Sequence, residues 1–489
     1  MSLILRRVVS RSKCCTVAEE SATVLGMNCI MCLVGVLGAG LASGAFGQDG
    51  PDDPGFGADG TAAEAIEHIK DVQSRPSGIF FDYDEGVEAG VDERRMPSPR
   101  GLYPVVDHPV VLDPLFSADP AQPLADAFNA IRKSITDPVS LDFNPSAAWT
   151  YQHATKVVDG SPHAKSILWE AISSTLTLWH HEADYGQVVC VLQNNVGMGT
   201  PLEPFLGPGV GDPTVVNNVL VSSHLTTDLY WQQSFGQDSV RLRVGKISDS
   251  GFFDRNAAAY DPLSQFMSLD FNQSITNPFP PRGFGGVLSA DFSKNFTVRA
   301  GTLNSASTGA TSGFDGLAWN HLFTIVEGDL RIFPTIGGRQ REGHIRLMGW
   351  YNSIPNTFGT GTLGGPGVTL NIDQAIADHV TAFMRVGWGQ QDVTVSNFAI
   401  SAGFGVSEPF GLKSCQTGIG IEYAKISQHG RDSIGLLNVG PGEHSMLEWY
   451  WRVRVSESTD TGPVIQVVRD PGAGIDTSVI WGWRTTIGF

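Results

Sequence analysis

The chain has 489 residues, of which 17% are charged and 57 are glycine, and its formal net charge at pH 7 is −18. Soluble domains carry about 25% charged residues, so the low charge density and the many glycines favour a β-rich protein. The negative balance argues against a nucleic-acid-binding protein, because binding to phosphate requires a basic surface. The length permits either one large barrel or several ordinary domains.

A secretory signal peptide is predicted over residues 1–47. A basic opening that includes Arg6 and Arg7 precedes an apolar run from Ile30 to Phe46 that ends in small residues. This order is typical of a signal peptide, with cleavage after Gly47. An alternative start at Met27 is left open. A single membrane anchor is the other interpretation, but the run is short and glycine-rich for the ~20 residues that a span needs.

Residues 48–165 are predicted to form an acidic periplasmic extension that is mostly irregular. Between Gln48 and Arg95 there are thirteen Asp or Glu residues and four Lys or Arg residues, a balance typical of a solvated segment. Apolar residues at helical spacing predict two short helices, over Thr61–Gln73 and Pro123–Ile135.

From about Leu168 onward the chain repeats short runs in which apolar residues alternate with polar ones. Val380–Gly389, Leu447–Glu457 and Val479–Phe489 each place apolar or aromatic residues on one face and arginine on the other. Alternation with a period of two residues is typical of a strand with one apolar face. A strand that ends the chain on Phe489, with tryptophans on its apolar face, resembles the terminal sorting strand of outer-membrane barrels.

These runs predict a closed antiparallel transmembrane β-barrel over residues 166–489, so the fold class is an all-β membrane protein with an N-terminal extension. Several runs approach the ~9–11 residues of a tilted membrane strand. About 320 residues at roughly 20 per strand and connection give about sixteen strands. Closure is required because an open edge in lipid would leave backbone groups unpaired.

The C-terminal two thirds of the chain resembles the carbohydrate-selective porins of the OprB family. The resemblance covers roughly Leu168–Phe489 and is carried by four segments and the terminal Phe489: Leu242–Asp254, Glu448–Arg452, Val464–Gly472 and Gly482–Arg484. It implies a sixteen-stranded barrel through which sugars diffuse across the outer membrane. The acidic segment before residue 165 departs from the family pattern.

The predicted pore wall carries arginines that face the lumen. Arginine suits a neutral polyol because its planar, permanently charged side chain has five donors. Carboxylates would pair with these arginines, and Tyr450 would offer an aromatic face to sugar C–H groups. The predicted pore-lining residues are Arg241, Arg243, Arg299, Arg346, Arg385, Glu422, Glu448, Tyr450, Arg452, Arg454 and Arg484. For each arginine, simple solvation of the wall or pairing with a carboxylate is the alternative.

The function predicted from these observations is passive diffusion of small neutral carbohydrates through an outer-membrane porin that needs no cofactor or metal. The run His180-His181-Glu182-Ala183-Asp184 is interpreted as a wet strand end or a periplasmic turn rather than a metal site, because alternation places its two histidines on opposite faces of a strand. A general porin, an outer-membrane barrel enzyme and a secreted β-sandwich that binds glycans are the alternatives. The expected partners are sugars, membrane lipid and lipopolysaccharide, with no nucleic acid, and a homo-oligomer is left open.

Overall fold

The computed structural model describes residues 112–119, 121–123, 126–127, 130, 141–181, 183–198, 222–248, 251–280, 282–307, 312–354, 364–427, 442–472 and 474–488. The predicted signal peptide, the predicted helix Thr61–Gln73 and the terminal Phe489 lie outside these residues. Within the second predicted helix, Pro123, Asp126 and Ala127 have helical backbone.

Sixteen antiparallel strands close into one barrel, as the alternation predicts, and each strand pairs with its neighbours in the chain. The barrel strands are β1 (Leu141–Ala154), β2 (Ala164–His181), β3 (Asp184–Gly197), β4 (Ser222–Phe235), β5 (Val240–Ile247), β6 (Gly283–Ser293), β7 (Phe296–Asn304), β8 (Leu322–Ile332), β11 (Gly343–Asn352), β12 (Gly365–Ala377), β13 (Val380–Gly389), β14 (Ser396–Ser407), β15 (Cys415–Ile426), β16 (Glu443–Arg454), β17 (Thr459–Gly472) and β18 (Ile475–Gly488). Two short strands, β9 (Thr335–Ile336) and β10 (Arg339–Gln340), form a separate hairpin between β8 and β11.

The last strand shows how the alternation sorts side chains between the two faces of the wall. On β18, Trp481 and Trp483 are 48% and 42% exposed, whereas Ile480 and Arg484 are 1% and 4% exposed. The exposed tryptophans therefore lie on the outer, lipid-facing surface, and Arg484 faces the lumen. This confirms the assignment of the two faces that the sequence predicts for this strand.

The barrel begins earlier than predicted, at Leu141 rather than at residue 166. Strand β1 pairs with β2 on one side and with β18 on the other, so it closes the ring. The first residues of β1 alternate poorly between apolar and polar, and they include Pro145. For this reason β1 was predicted to belong to the extension. Closure decides the assignment, because without β1 the edge of β18 would be unpaired in lipid.

The connections differ between the two ends of the barrel. At one end, which we call the short-turn end, Lys294–Asn295 joins β6 to β7, Asp378–His379 joins β12 to β13 and Val455–Ser458 joins β16 to β17. Longer segments join most strand pairs at the opposite end, where residues 473–474 between β17 and β18 are the exception. Short turns are typical of the periplasmic side of outer-membrane barrels and long loops of the outer side. Among the described residues, no helix is long and apolar enough to cross a membrane.

Candidate functional site

The described residues of the connection between β5 and β6 (Ser248, 251–280 and Arg282) fold into the barrel, and we call them the inner loop. In its stretch 251–280, which contains helix α1 (Leu269–Asn272), every residue except Arg255 and Ala257 is buried. Side chains on β8, β11, β12, β13, β16 and β18 all form hydrogen bonds with it. The span from β8 to β18 covers nine of the sixteen strands of the ring, so a segment that contacts strands across this span lies in the lumen.

Asp254 fastens the inner loop to one side of the wall. Its Oδ1 accepts hydrogen bonds from Arg385 Nε at 3.0 Å and Asn371 Nδ2 at 2.7 Å, and its Oδ2 accepts one from the backbone amide of Ser274 at 2.6 Å. Its own amide donates to Glu327 Oε2 at 2.8 Å. The side chains of Asp254 and Arg385 are each 1% exposed. One carboxylate thus joins two distant parts of the loop to the wall.

Arg484 on β18 and Glu448 on β16 hold the middle of the inner loop against a second part of the wall. Arg484 donates from Nη2 to the carbonyl of Gln265 at 2.8 Å. Glu448 accepts hydrogen bonds from the amides of Met267 and Ser268, at 2.5 and 2.9 Å. Glu448 is 0% exposed and Arg484 4% exposed. Both residues were predicted to line the pore, and the structure places both on the lumen side with the inner loop as their partner.

The ring of Tyr450 packs against the inner loop. It lies edge-on to Phe266, with 5.1 Å between ring centroids, and it is 0% exposed. On the neighbouring strand, Gly420 makes room for the same aromatic cluster, since a Cβ there would lie 2.8 Å from the ring of Phe271. The inner loop therefore covers the aromatic face of Tyr450 that the sequence predicts for contact with sugar.

A ladder of alternating charges crosses four neighbouring strands, β7, β8, β11 and β12. Arg299 Nη1 lies 2.8 Å from Glu327 Oε1 and 3.2 Å from Asp329 Oδ2. Arg346 bridges the next two strands, 3.3 Å from Asp329 Oδ2 and also paired with Asp373. The side chain of Arg299 is 16% exposed and that of Arg346 is 5% exposed. Arginine and carboxylate side chains thus alternate from strand to strand along this part of the wall.

Arg241 and Arg243 follow one another on the lumen side of β5 but have different surroundings. Arg241 Nε donates to Asp238 Oδ1 at 2.9 Å, and its side chain is 17% exposed. Arg243 Nε donates to Gln232 Oε1 at 2.6 Å, and its guanidinium lies 4.6 Å from the ring centroid of Phe252. Arg241 thus remains accessible, whereas Arg243 packs on the inner loop.

Arg452 and Arg454 lie at the short-turn end of β16. Arg452 donates to Gln416 Oε1 at 2.7 Å and to Asp460 Oδ1 at 3.2 Å. Arg454 donates to the carbonyl of Leu112 at 3.3 Å and to carbonyls of the following turn. Arg454 therefore contacts a residue of the N-terminal extension, which sequence reasoning did not anticipate.

Glu422 belongs to a cluster of carboxylate and imidazole groups. His444 Nε2 lies 3.3 Å from Glu422 Oε2 and 3.9 Å from Asp270 Oδ2 on helix α1. The three residues are buried, and their potential ligand atoms lie within 4.8 Å of one another; carboxylate and imidazole are donor types that divalent metals take. His180 and His181 lie elsewhere, exposed at the end of β2, as expected for a wet strand end.

Several side chains that anchor the inner loop were not predicted from the sequence. Arg282, at the end of the loop, donates from Nε to Asp228 Oδ1 at 2.6 Å, and both side chains are 0% exposed. Asn277 accepts a hydrogen bond from Trp350 Nε1 at 3.0 Å. Polar residues in a segment without helical or strand periodicity are expected to be exposed to solvent, so these residues were not predicted to be buried anchors. The one available signal was Asp228, an acid within a strand-like run.

The eight predicted arginines share one zone of the barrel. Each lies within six residues of the end of its strand that meets the short-turn side. Each also has a carboxylate, side-chain amide or backbone carbonyl as a partner, as given above. Seven of the eight thus lie in the half of their strand nearest the short turns, and Arg385 lies just past the middle of β13; all eight have partners on the wall, the inner loop or the N-terminal extension.

A closed sixteen-stranded barrel with a loop folded into its lumen defines a porin-type channel protein of the outer membrane. Comparison with protein-family models matches residues 186–489 to the carbohydrate-selective porin family, OprB. The chain belongs to this family, whose members are porins and not enzymes.

One solved structure shares the fold at low sequence identity, and further porin structures match with lower TM-scores. The high-pH structure of Pseudomonas putida OprB is 14% identical, with a TM-score of 0.59 over 74% of this chain and 97% of that one. The low-pH structure of the same protein is 11% identical, with a TM-score of 0.43 over 74% and 96%. A triple mutant of the Rhodopseudomonas blastica porin is 7% identical, with a TM-score of 0.44 over 71% and 100%. A search of curated protein sequences found no match.

Proposed function

We propose that this protein lets small neutral carbohydrates diffuse passively across the outer membrane through a path lined by arginine–carboxylate pairs. The observation that carries the proposal is the concentration of eight lumen-side arginines in one zone, beside a loop that folds into the lumen. Export through the periplasm by a signal peptide over residues 1–47 is part of the same proposal. The outer wall would contact membrane lipid and lipopolysaccharide.

The chemistry of the zone suits a neutral polyol. Arginine presents several donors in one plane, and a carboxylate beside it presents acceptors, so a sugar hydroxyl can find both within one ladder. Because the arginines are paired with carboxylates, the net charge along the ladder stays small. The ladder therefore does not favour ions over an uncharged solute. Arg241 and Arg299, with side chains 17% and 16% exposed, are the members best placed to meet a passing solute.

The test is single-channel recording in planar bilayers with a panel of mono- and disaccharides. We expect stepwise conductance that added sugar reduces. In the variant R241Q/R299Q, we expect weaker sugar block, by about fivefold for each lost hydrogen bond of ~1 kcal/mol. Channels that ignore every sugar would refute carbohydrate selectivity and leave a general porin.

Arg339 provides a matched control for this variant. It lies on the β9–β10 hairpin, and its side chain is 68% exposed beside Asp378. The substitution R339Q removes one positive charge, as R241Q or R299Q alone does, without changing the lumen, so we expect sugar block at the wild-type level. Equal weakening in R339Q and in either single lumen variant would show that net charge, rather than contact with sugar, controls the block.

A further inference from the structure

Three side chains meet where the inner loop packs against the wall, and we call Asp270, Glu422 and His444 the loop–wall triad. Asp270 lies on helix α1, whereas Glu422 and His444 lie on the paired strands β15 and β16. The three side chains are 0%, 1% and 1% exposed. One possible metal-ligating atom from each lies within 4.8 Å of the others. The triad therefore brings oxygen and nitrogen donors from three separate elements into one buried volume.

Both carboxylates of the triad approach the same nitrogen of the imidazole. His444 Nε2 lies 3.3 Å from Glu422 Oε2 and 3.9 Å from Asp270 Oδ2. The longer distance is beyond the range of a hydrogen bond, so direct hydrogen bonding does not account for the approach of Asp270 to this nitrogen. Ligands about 2.1 Å from a tetrahedral ion lie about 3.4 Å from one another. The two distances are close to this value, so one ion between the three groups can contact all of them.

A second lumen histidine that lies beside two carboxylates provides a contrast. His344 Nδ1 lies 2.9 Å from Asp329 Oδ1, and its Nε2 lies 3.8 Å from Glu342 Oε1. These carboxylates lie at opposite ring nitrogens, so one ion cannot reach all three groups. Within the part of the chain that the structure describes, the loop–wall triad is the one set of three such residues whose ligand atoms converge.

Contacts on either side of Asp270 fix the loop side of the triad. The amide of Ser268, the N-cap of helix α1, donates to Glu448 Oε2 at 2.9 Å. The carbonyl of Asn272, at the other end of the helix, accepts a hydrogen bond from Arg385 Nη2 at 3.3 Å. Both ends of the short helix are thus bound to the wall. Ligands that are already held in position bind an ion with little further ordering of the chain.

We propose that the loop–wall triad binds one divalent transition-metal ion, such as Zn²⁺, and that this ion locks the inner loop to the wall. Two carboxylates supply anionic ligands, and His444 supplies the nitrogen. An imidazole nitrogen suits Zn²⁺ and related ions, whereas Ca²⁺ and Mg²⁺ take oxygen ligands.

The ion would control the position of the inner loop. One of its ligands belongs to the loop and two belong to the wall, so the loop cannot leave the wall without breaking a metal–ligand bond. No metal was predicted from the sequence, because Asp270 is distant in the chain from the other two ligands. The inference goes beyond sugar diffusion, and a failure of the sugar test leaves it standing.

The first experiment measures metal bound to the purified protein, prepared without a histidine tag. The protein is stripped with a chelator in detergent, dialysed against buffered Zn²⁺ and analysed for metal. We expect one tightly bound Zn²⁺ per wild-type chain. H444Q should bind Zn²⁺ at least about a hundredfold more weakly, because loss of an outer-shell partner alone costs about 10–100-fold. D270N and E422Q nearly keep the size of their side chains, and they give the same test if H444Q does not fold.

The matched control is H180Q/H181Q, which removes two exposed histidines at the end of β2. We expect this variant to bind Zn²⁺ as tightly as wild type. Loss of binding in the control with retention in H444Q would place the ion at the exposed histidines and overturn the proposal. A wild-type chain that binds no Zn²⁺ would overturn it as well.

The second experiment measures hydrogen–deuterium exchange of the amides of helix α1 with and without Zn²⁺. An ion that binds only when the loop is against the wall makes opening rarer by the factor 1 + [Zn²⁺]/Kd. At a free Zn²⁺ concentration about a hundred times Kd, we expect exchange in wild type to slow by about a hundredfold. D270N, which keeps only the wall ligands, should show no such change at the same concentration. Equal exchange in wild type with and without bound Zn²⁺ would overturn the locking of the loop.

Discussion

The substitution of Asp254 by Asn tests whether one carboxylate fixes the inner loop. Asp254 accepts four hydrogen bonds through its side chain, from Arg385, Asn371, Ser274 and Asn277. Asparagine keeps the size and one acceptor but turns an amide group toward donors. It also leaves the buried guanidinium of Arg385 without its anion.

The size of the expected effect on loop opening follows from the burial of the ion pair between Asp254 and Arg385. Breaking a buried ion pair by removing one partner costs about 3–5 kcal/mol. Other anchors, such as Glu448 and Arg282, remain, so we expect the barrel to stay closed and the cost to appear as easier opening of the loop. At 1.4 kcal/mol per tenfold change, loop opening becomes about a hundredfold to several thousandfold more frequent.

Hydrogen–deuterium exchange of the amides between Asp254 and Asn277 measures this opening, and single-channel noise reports its effect on conduction. The control is N371D/D254N, which returns an anion beside Arg385 from the wall and is expected to recover part of the protection. Exchange in D254N within about twofold of wild type would refute the reasoning, since it would mean that the pair adds almost nothing to the position of the loop.

Three further predictions concern the barrel wall, the segment Leu112–Asp119 that bonds to the short-turn end of the barrel, and the pore. G420A forces a methyl group against buried rings of the inner loop and should cost about 1–3 kcal/mol in urea unfolding of the barrel; G349A, where nothing lies within 4 Å of the added Cβ, should be neutral, and equal effects would contradict the packing argument. Burial alone would raise the pKa of Asp119, but hydrogen bonds from serine hydroxyls and backbone amides lower it overall. Its contribution to the stability of the segment Leu112–Asp119 is therefore present above about pH 4 and lost as the pH falls through the lowered pKa. At pH 6 this segment should exchange deuterium faster in D119N than in wild type, and the difference should shrink as the pH is lowered. R452A/R454A should weaken sugar block, measured as in the bilayer test above, and unchanged block would place the constriction at other residues.

Strands and their faces were predictable from the sequence because alternation is a local property. The division of β18 into exposed Trp481 and buried Arg484 needs only the two-residue period and the preference of lipid for apolar side chains. The number of strands followed from length. The start of the barrel did not, because β1 alternates poorly and its assignment depends on the closure of β18.

The partners of the lumen arginines were not predictable. Asp254 and Arg385 are 131 residues apart, and no periodicity relates an irregular loop to a distant strand. The sequence placed Arg484 and Glu448 on the inner face, but it left open whether water, a carboxylate or the chain itself would meet them there. The hydrogen bond from Arg454 to the carbonyl of Leu112 was not predictable for the same reason.

What the sequence by itself determined is a closed barrel, the direction in which its side chains point and an arginine-bearing inner face. Only the tertiary structure decided that residues 251–280 turn inward, that they contact Arg243, Arg385 and Arg484, and that Leu112–Asp119 lies against the short-turn end of the barrel. The physical reason is that alternation and closure act between neighbours in the chain or the sheet. The path of a loop, by contrast, depends on many buried hydrogen bonds between distant residues, which must all form together.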